Sequence, residues 1–220
     1  MFGVSLYQQN MVELVPEGRT PFDARVLFTA KGTNPSTPYL SQIPCSWGAV
    51  YFPEHWREFH DYLSIRLSEY SIQLHNNVVP GVRSNNWVKS WKKYFIELVY
   101  LRGYAMLYPN YPNFTSLSTN HLEVGEHVND QPEEEYLRKQ AMFRLPLMLL
   151  PNASMPYSSG LLELPGDGLP SLSSLPVLDL MGRFSSSSEL MERGAKRRAE
   201  LTGCSDTLST YNARALMCLP

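Results

Sequence analysis

The sequence predicts an α/β fold, a mixed sheet of short strands covered by helices. Three observations carry this. Apolar residues recur at helical spacing over 54–70 and 86–102. Short apolar or alternating runs at 2–7, 45–52 and 104–108 read as strands. In the middle of the chain the order is strand, helix, loop, helix, strand, which suits a sheet with helices laid on it.

The first strand is Phe2 to Tyr7, directly after Met1. No basic or apolar leader precedes it. A strand this early suggests that the start codon lies inside a larger domain, although a domain that simply begins with a strand explains it as well. Residues 16–44 hold Pro16, Gly18, Pro21, Gly32, Pro35, Pro38 and Pro44, and read as one long loop. Cys45 to Phe52 is a buried strand. Pro53 and Glu54 open the helix over 54–70, where proline and an acid suit the first turn. Trp56, Phe59, Leu63, Leu67 and Tyr70 form its apolar stripe.

A turn at Pro80-Gly81 leads to the helix over 86–102. Trp87, Trp91, Phe95, Leu98 and Leu101 form its stripe, Asn86 its cap and Gly103 its terminator. Residues 104–108 are a strand stopped by Pro109. Residues 131–144 read as a helix with acids first and bases later. From 145 to 188 the chain turns rich in Pro, Leu, Ser and Gly, and 189–201 reads as a short basic helix. The compact core is therefore expected at 1–130. Residues 131–220 are expected to be a helical and Pro/Ser/Leu-rich extension, partly disordered.

Composition narrows the function classes. The chain has 220 residues, 43% apolar and 18% charged, with a net charge of −2. That balance fits a folded protein and argues against a generally basic nucleic-acid binder. No apolar run reaches the roughly 18 residues that a membrane span needs. Three cysteines, Cys45, Cys204 and Cys218, are too few for a disulfide scaffold and lack metal-ligand spacing, though one disulfide plus a free thiol is open to them.

Candidate chemistry is sparse. His121 and His127 share a loop with Glu123 and Glu126, a set able to give a divalent cation one or two ligands. A solvated polar loop is the plainer reading. His55 and His60 lie five residues apart, on different parts of the helical wheel. Lys89, Lys92, Lys93 and Arg102 line the second helix and could meet a diphosphate, or simply face water. Trp47 offers a face on which a sugar ring packs, and Gly48 beside it lets backbone approach a ligand. Trp87 and Trp91 could stack on a sugar in the same way, although tryptophans at helical spacing more often read as core. Asn113-Phe114-Thr115 and Asn152-Ala153-Ser154 fit the N-glycosylation pattern, which carries information only in a chain that meets the secretory lumen.

Four stretches carry a resemblance: FGVSLYQQNMVEL at 2–14, PCSWGAVYFPEHWREFHDYLSIRL at 44–67, WVKSWKKYFIELVYLRGYAMLYPN at 87–110 and STNHLEVGEHV at 118–128. Together they resemble a fungal and plant family of glycosyltransferase family 2-like proteins, over about residues 1–180. The resemblance implies a GT-A-like fold of Rossmann type and sugar transfer from a nucleotide-sugar donor to a carbohydrate acceptor. It implies a divalent cation, Mn or Mg, in the full-length parent, with His121 or His127 similar to the histidine that completes the metal site in some relatives. It also implies a Golgi or membrane-associated parent. Two departures matter. No Asp-x-Asp motif occurs, and the donor-binding strands that should come first are missing. The acidic pair expected near the start of the later helix is replaced by Ser90, Trp91, Lys92 and Lys93. Glu54 and Glu97 then stand as candidates for the catalytic base, with Glu123 and Glu126 behind them. Trp47, Gly48 and Lys92 are the candidate substrate contacts.

Two readings compete. In the first, the chain is the C-terminal, acceptor-side portion of a glycosyltransferase, expected to be inactive alone and to expose apolar strand edges, including 2–7. In the second, it is a binding or interaction module with a closed sheet. A small metal enzyme built on His121 and His127 is a third, and needs another ligand from elsewhere.

Overall fold

The computed structural model describes residues 1–68, 77–120, 132–148, 168, 170–203 and 211–219. The expected α/β character is there. A mixed sheet of six strands runs in the order β5-β1-β6-β4-β7-β8. Its strands are β1 (Gly3–Ser5), β4 (Tyr39–Ser41), β5 (Ala49–Tyr51), β6 (Met106–Tyr108), β7 (Val177–Leu178) and β8 (Phe184–Ser185). A separate two-stranded ribbon joins β2 (Met11–Val12) to β3 (Thr20–Pro21). β1 runs parallel to β6, and β4 parallel to β7; the other pairs are antiparallel.

β1 is not an edge. It exchanges bonds with β5 on one side and β6 on the other, with Val4 opposite both Val50 and Leu107. The expected open edge at 2–7 is therefore corrected. β5 and β8 end the sheet instead, and both are short.

The helices are α1 (Ala24–Ala30), α2 (Pro53–Leu67), α3 (Trp91–Arg102), α4 (Glu133–Phe143), α5 (Ser187–Thr202) and α6 (Ala213–Leu216). The expected loop over 16–44 is corrected, because it contains β3, α1 and β4. Asp23 starts α1 by accepting from the backbone N–H groups of Arg25 and Val26, a cap that outweighs the surrounding prolines.

α3 also starts later than its stripe suggests. Arg83–Asn86 form a 3₁₀ turn, Trp87 is extended, and Ser90 rather than Asn86 holds the cap position. Asn85 spends its amide on the Val79 carbonyl at 2.8 Å, the local bonding by which asparagine favours turns over helix. Gly103 ends the helix as expected, at φ 65°. On α2 the buried face is His55, Glu58, Phe59 and Tyr62, rotated from the apolar stripe, and Trp56 and Leu67 stay exposed.

Polar pairs explain that rotation. Arg102 of α3 donates through Nε to Glu58 at 2.8 Å, and Tyr104 donates to the same carboxylate at 2.7 Å. Around them the rings of Phe59 and Phe95 stack at 4.4 Å, and Phe2 meets Phe95 edge-on at 5.3 Å. The His55 ring sits edge-on to both Tyr104 and Tyr211, each at 4.8 Å. Burying charge this deep is tolerable only because each carboxylate is paired and hydrogen-bonded.

The C-terminal part joins the same sheet across the boundary expected near residue 130. β7 pairs with β4, and α5 packs along α3. α5 begins with a reciprocal cap, in which Ser186 accepts from the Glu189 N–H and Glu189 accepts from the Ser186 N–H. It crosses α3 at Gly194, where an added Cβ would lie 2.4 Å from the Tyr100 carbonyl oxygen. Among the described residues no helix is long and apolar enough to cross a membrane.

Candidate functional site

The β1–β2 connection, the loop before β5 and the first turn of α3 converge on one cleft. Tyr7, Gln9, Asn10, Met11 and Glu13 form one wall, and Ile43 to Trp47 the other. Lys92 and Tyr108 close its base. The enclosed space is about 30 Å³, enough for a water-sized occupant; with the open mouth the void is about 320 Å³.

Charge and aromatic surface meet inside it. Lys92 Nζ donates to Glu13 Oε2 at 2.5 Å, with both side chains about nine-tenths buried. The same ammonium lies 5.5 Å from the centre of the Trp47 ring, a cation–π distance. Tyr7 meets Trp47 edge-on at 5.1 Å. Burial pushes the Tyr7 phenol far above its ordinary range, so it enters any chemistry as a neutral hydroxyl. Burial also pushes the Cys45 thiol up, against smaller opposing effects from Ser5, the Trp47 backbone and Lys92. A buried neutral thiol is a packing group rather than a nucleophile.

Gly48 has a reason of its own. Its φ is +132°, and a Cβ there would fall 2.1 Å from Ser118 Oγ. That hydroxyl donates to the Trp47 carbonyl at 3.1 Å. The glycine thus lets Ser118 hold the Trp47 loop, and the tight neighbour is protein.

The remaining candidates lie elsewhere. Glu97 is on α3 five residues after Lys92, about 140° round the helix. It is buried between α2 and α3, accepting from Tyr62 at 2.9 Å and from Arg66 Nε at 2.9 Å. Glu54 is on the first turn of α2, exposed, 3.7 Å from Arg57. The structure therefore joins Trp47 and Lys92, places Gly48 next to them, and keeps Glu97 and Glu54 apart. His121 and His127, with Glu123 and Glu126, lie outside the described residues. The basic row on the second helix splits: Lys92 goes to Glu13, Lys93 to the Asn85 carbonyl at 3.0 Å and Arg102 to Glu58.

Sequence reasoning missed Glu13, Gln9 and Tyr7. One signal existed, an acid flanked by apolar residues in Met11-Val12-Glu13-Leu14. A carboxylate in such a run is either exposed on the opposite face or paired inside; here it is paired. For the divalent cation that the resemblance implies, the described residues offer no converging group of three or more His, Cys, Asp or Glu side chains.

Fold and site together define a mixed α/β protein with a small aromatic and charged cleft beside its sheet. A family described as SPBC1E8.03c C-terminal domain matches residues 18–72. That span covers α1, β4, β5, α2 and the Ile43–Trp47 wall of the cleft, but neither Glu13 nor Lys92. No curated protein and no solved structure matches the chain.

Proposed function

We propose that the open mouth of this cleft, rather than its water-sized interior, binds a carbohydrate, in the acceptor role of a GT-A-type, glycosyltransferase family 2-like protein. The observation that carries the reading is the Trp47 ring set against a buried Glu13–Lys92 pair. A sugar presents an apolar C–H face and a rim of hydroxyls. An indole supports the face, a carboxylate accepts from hydroxyls, and an ammonium donates to their oxygens. The resemblance of residues 1–180 to that family supports the acceptor role.

In such a transfer a carboxylate takes the proton of the attacking hydroxyl, and it must lie within hydrogen-bond reach of it. Glu13 is the carboxylate that lines the cleft. Glu97 and Glu54 are held in other contacts. Glu13 therefore takes the place in this proposal that the sequence offered to them. A divalent cation, when bound with the nucleotide-sugar, would neutralise the leaving diphosphate.

The test is saturation-transfer NMR of the 220-residue chain with glucose, galactose, mannose and their disaccharides. At least one saccharide should receive saturation, and Trp47→Ala should weaken its binding at least tenfold. Silence across the set overturns the reading.

A further inference from the structure

We propose that Asn113 is an N-glycan acceptor, displayed by its turn for modification when the chain meets an oxidising, glycan-transferring compartment. Asn113-Phe114-Thr115 meets the sequence requirement for such an acceptor. The proposal stands on what the fold does with that tripeptide.

First, the turn presents it. Asn113 is exposed on a 3₁₀ turn after Pro112, in the left-handed region at φ 56° and ψ 28°. Phe114 follows at φ 55°. Asparagine tolerates that region far better than most residues do. Among the described residues the Asn113 carboxamide makes no hydrogen bond, so its nitrogen is committed to no other partner. It stands at the rim of an open groove of about 690 Å³ shared with Arg25 and Thr29, which leaves room for a bulky substituent.

Second, the turn is anchored on both sides, so the acceptor is displayed without local unfolding. Gln8 grips Tyr111 twice: its Oε1 accepts from the Tyr111 N–H at 2.7 Å, and its Nε2 donates to the Tyr111 carbonyl at 3.0 Å. On the far side Ser116 accepts from the Gln8 N–H at 2.7 Å.

Third, the cysteine chemistry independently suits such a compartment. Cys218 is disulfide-bonded, while Cys45 is a free thiol buried from solvent. Persistent disulfides belong to oxidising compartments, and a free thiol survives there best when enclosed.

The step balances with a lipid diphosphate-linked oligosaccharide as donor. The Asn113 amide nitrogen loses a proton and bonds to the anomeric carbon. The bond from that carbon to the diphosphate breaks, and the diphosphate leaves with the electron pair.

The test expresses the full chain behind a cleavable leader in a eukaryotic secretory host. The secreted protein is treated with peptide N-glycosidase in H₂¹⁸O and digested with trypsin. The peptide spanning 103–138 contains Asn113 and no other acceptor tripeptide, and Asn152 falls in the peptide spanning 145–183. We expect Asn113 to appear as ¹⁸O-labelled aspartate, with the label lost in Asn113→Gln and Thr115→Ala and kept in Thr115→Ser. An unlabelled 103–138 peptide from the secreted wild-type chain overturns the proposal, and so does label confined to the 145–183 peptide.

Discussion

The carboxylate of Glu13 and the ammonium of Lys92 meet at 2.5 Å where one wall of the cleft joins its base, with side chains only 9% and 11% exposed. Removing one partner strands the other charge where water reaches it poorly. Lys92→Met or Glu13→Leu should each cost about 3–5 kcal/mol in urea unfolding. The double variant should cost clearly less than the sum, because it leaves no orphan charge. Additive losses would show that the two groups do not depend on each other.

At Gly194, two opposing effects can be weighed. Alanine in a helix interior is favoured over glycine by about 1 kcal/mol. Here the new Cβ meets backbone carbonyl oxygens of Tyr100 and Leu101, at 2.4 and 2.6 Å, which cannot swing away like a side-chain end. Overpacking of this kind costs about 1–3 kcal/mol. Gly194→Ala should therefore lower the melting temperature, and a rise would mean that α5 moves off α3 at little cost.

Glu97 separates stability from binding. Glu97→Gln weakens the acceptor shared by Tyr62 and Arg66, so unfolding should become easier by about 1.5–3 kcal/mol. Saccharide saturation in the cleft should persist. If binding vanished while the melting curve held, Glu97 would belong to the site after all.

His55 gives a pH dependence with a definite sign. Burial, and secondarily the Met1 ammonium, lower its affinity for a proton, with Glu54 opposing. The unfolded chain then binds that proton more readily than the folded one. The associated stability is full above the ordinary histidine value of about 6.5 and is lost as pH falls through it towards the folded value. Glu135 and Glu189 are held below their ordinary 4.5, mainly by hydrogen bonds from Lys139 and Ser185, and act only at lower pH. Between about pH 7.5 and 5, His55→Phe should flatten the fall in melting temperature. An unchanged slope would assign that fall to other groups.

The parts of this fold that were legible in the sequence are those ruled by local signals. The 54–70 stripe placed α2 within a few residues, and Gly103 marked the end of α3. What stayed hidden depends on partners far along the chain. The rotation of α2 follows from Glu58 meeting Arg102, and Glu58 reads as a solvent residue on the wheel. Prolines masked α1, whose start is set by the single carboxylate of Asp23. The cleft was half legible: Trp47 and Lys92 drew notice as residue types, but Glu13 becomes chemical only when α3 brings Lys92 to it.

Leu40 of β4 lies opposite Leu107 on one side and opposite Val177 on the other, and its N–H donates to the Pro176 carbonyl at 2.8 Å. During synthesis, from the N-terminus onward, the first partner emerges well before the second. Until Val177 and Leu178 leave the ribosome, β4 presents a bare row of amides and carbonyls beside the apolar side chains of Leu40 and Ile43. Nascent copies on one message are then at risk of zipping to each other through that row. The speed at which the stretch between Tyr108 and Val177 is translated thus sets how long each newborn molecule stays open to its neighbours.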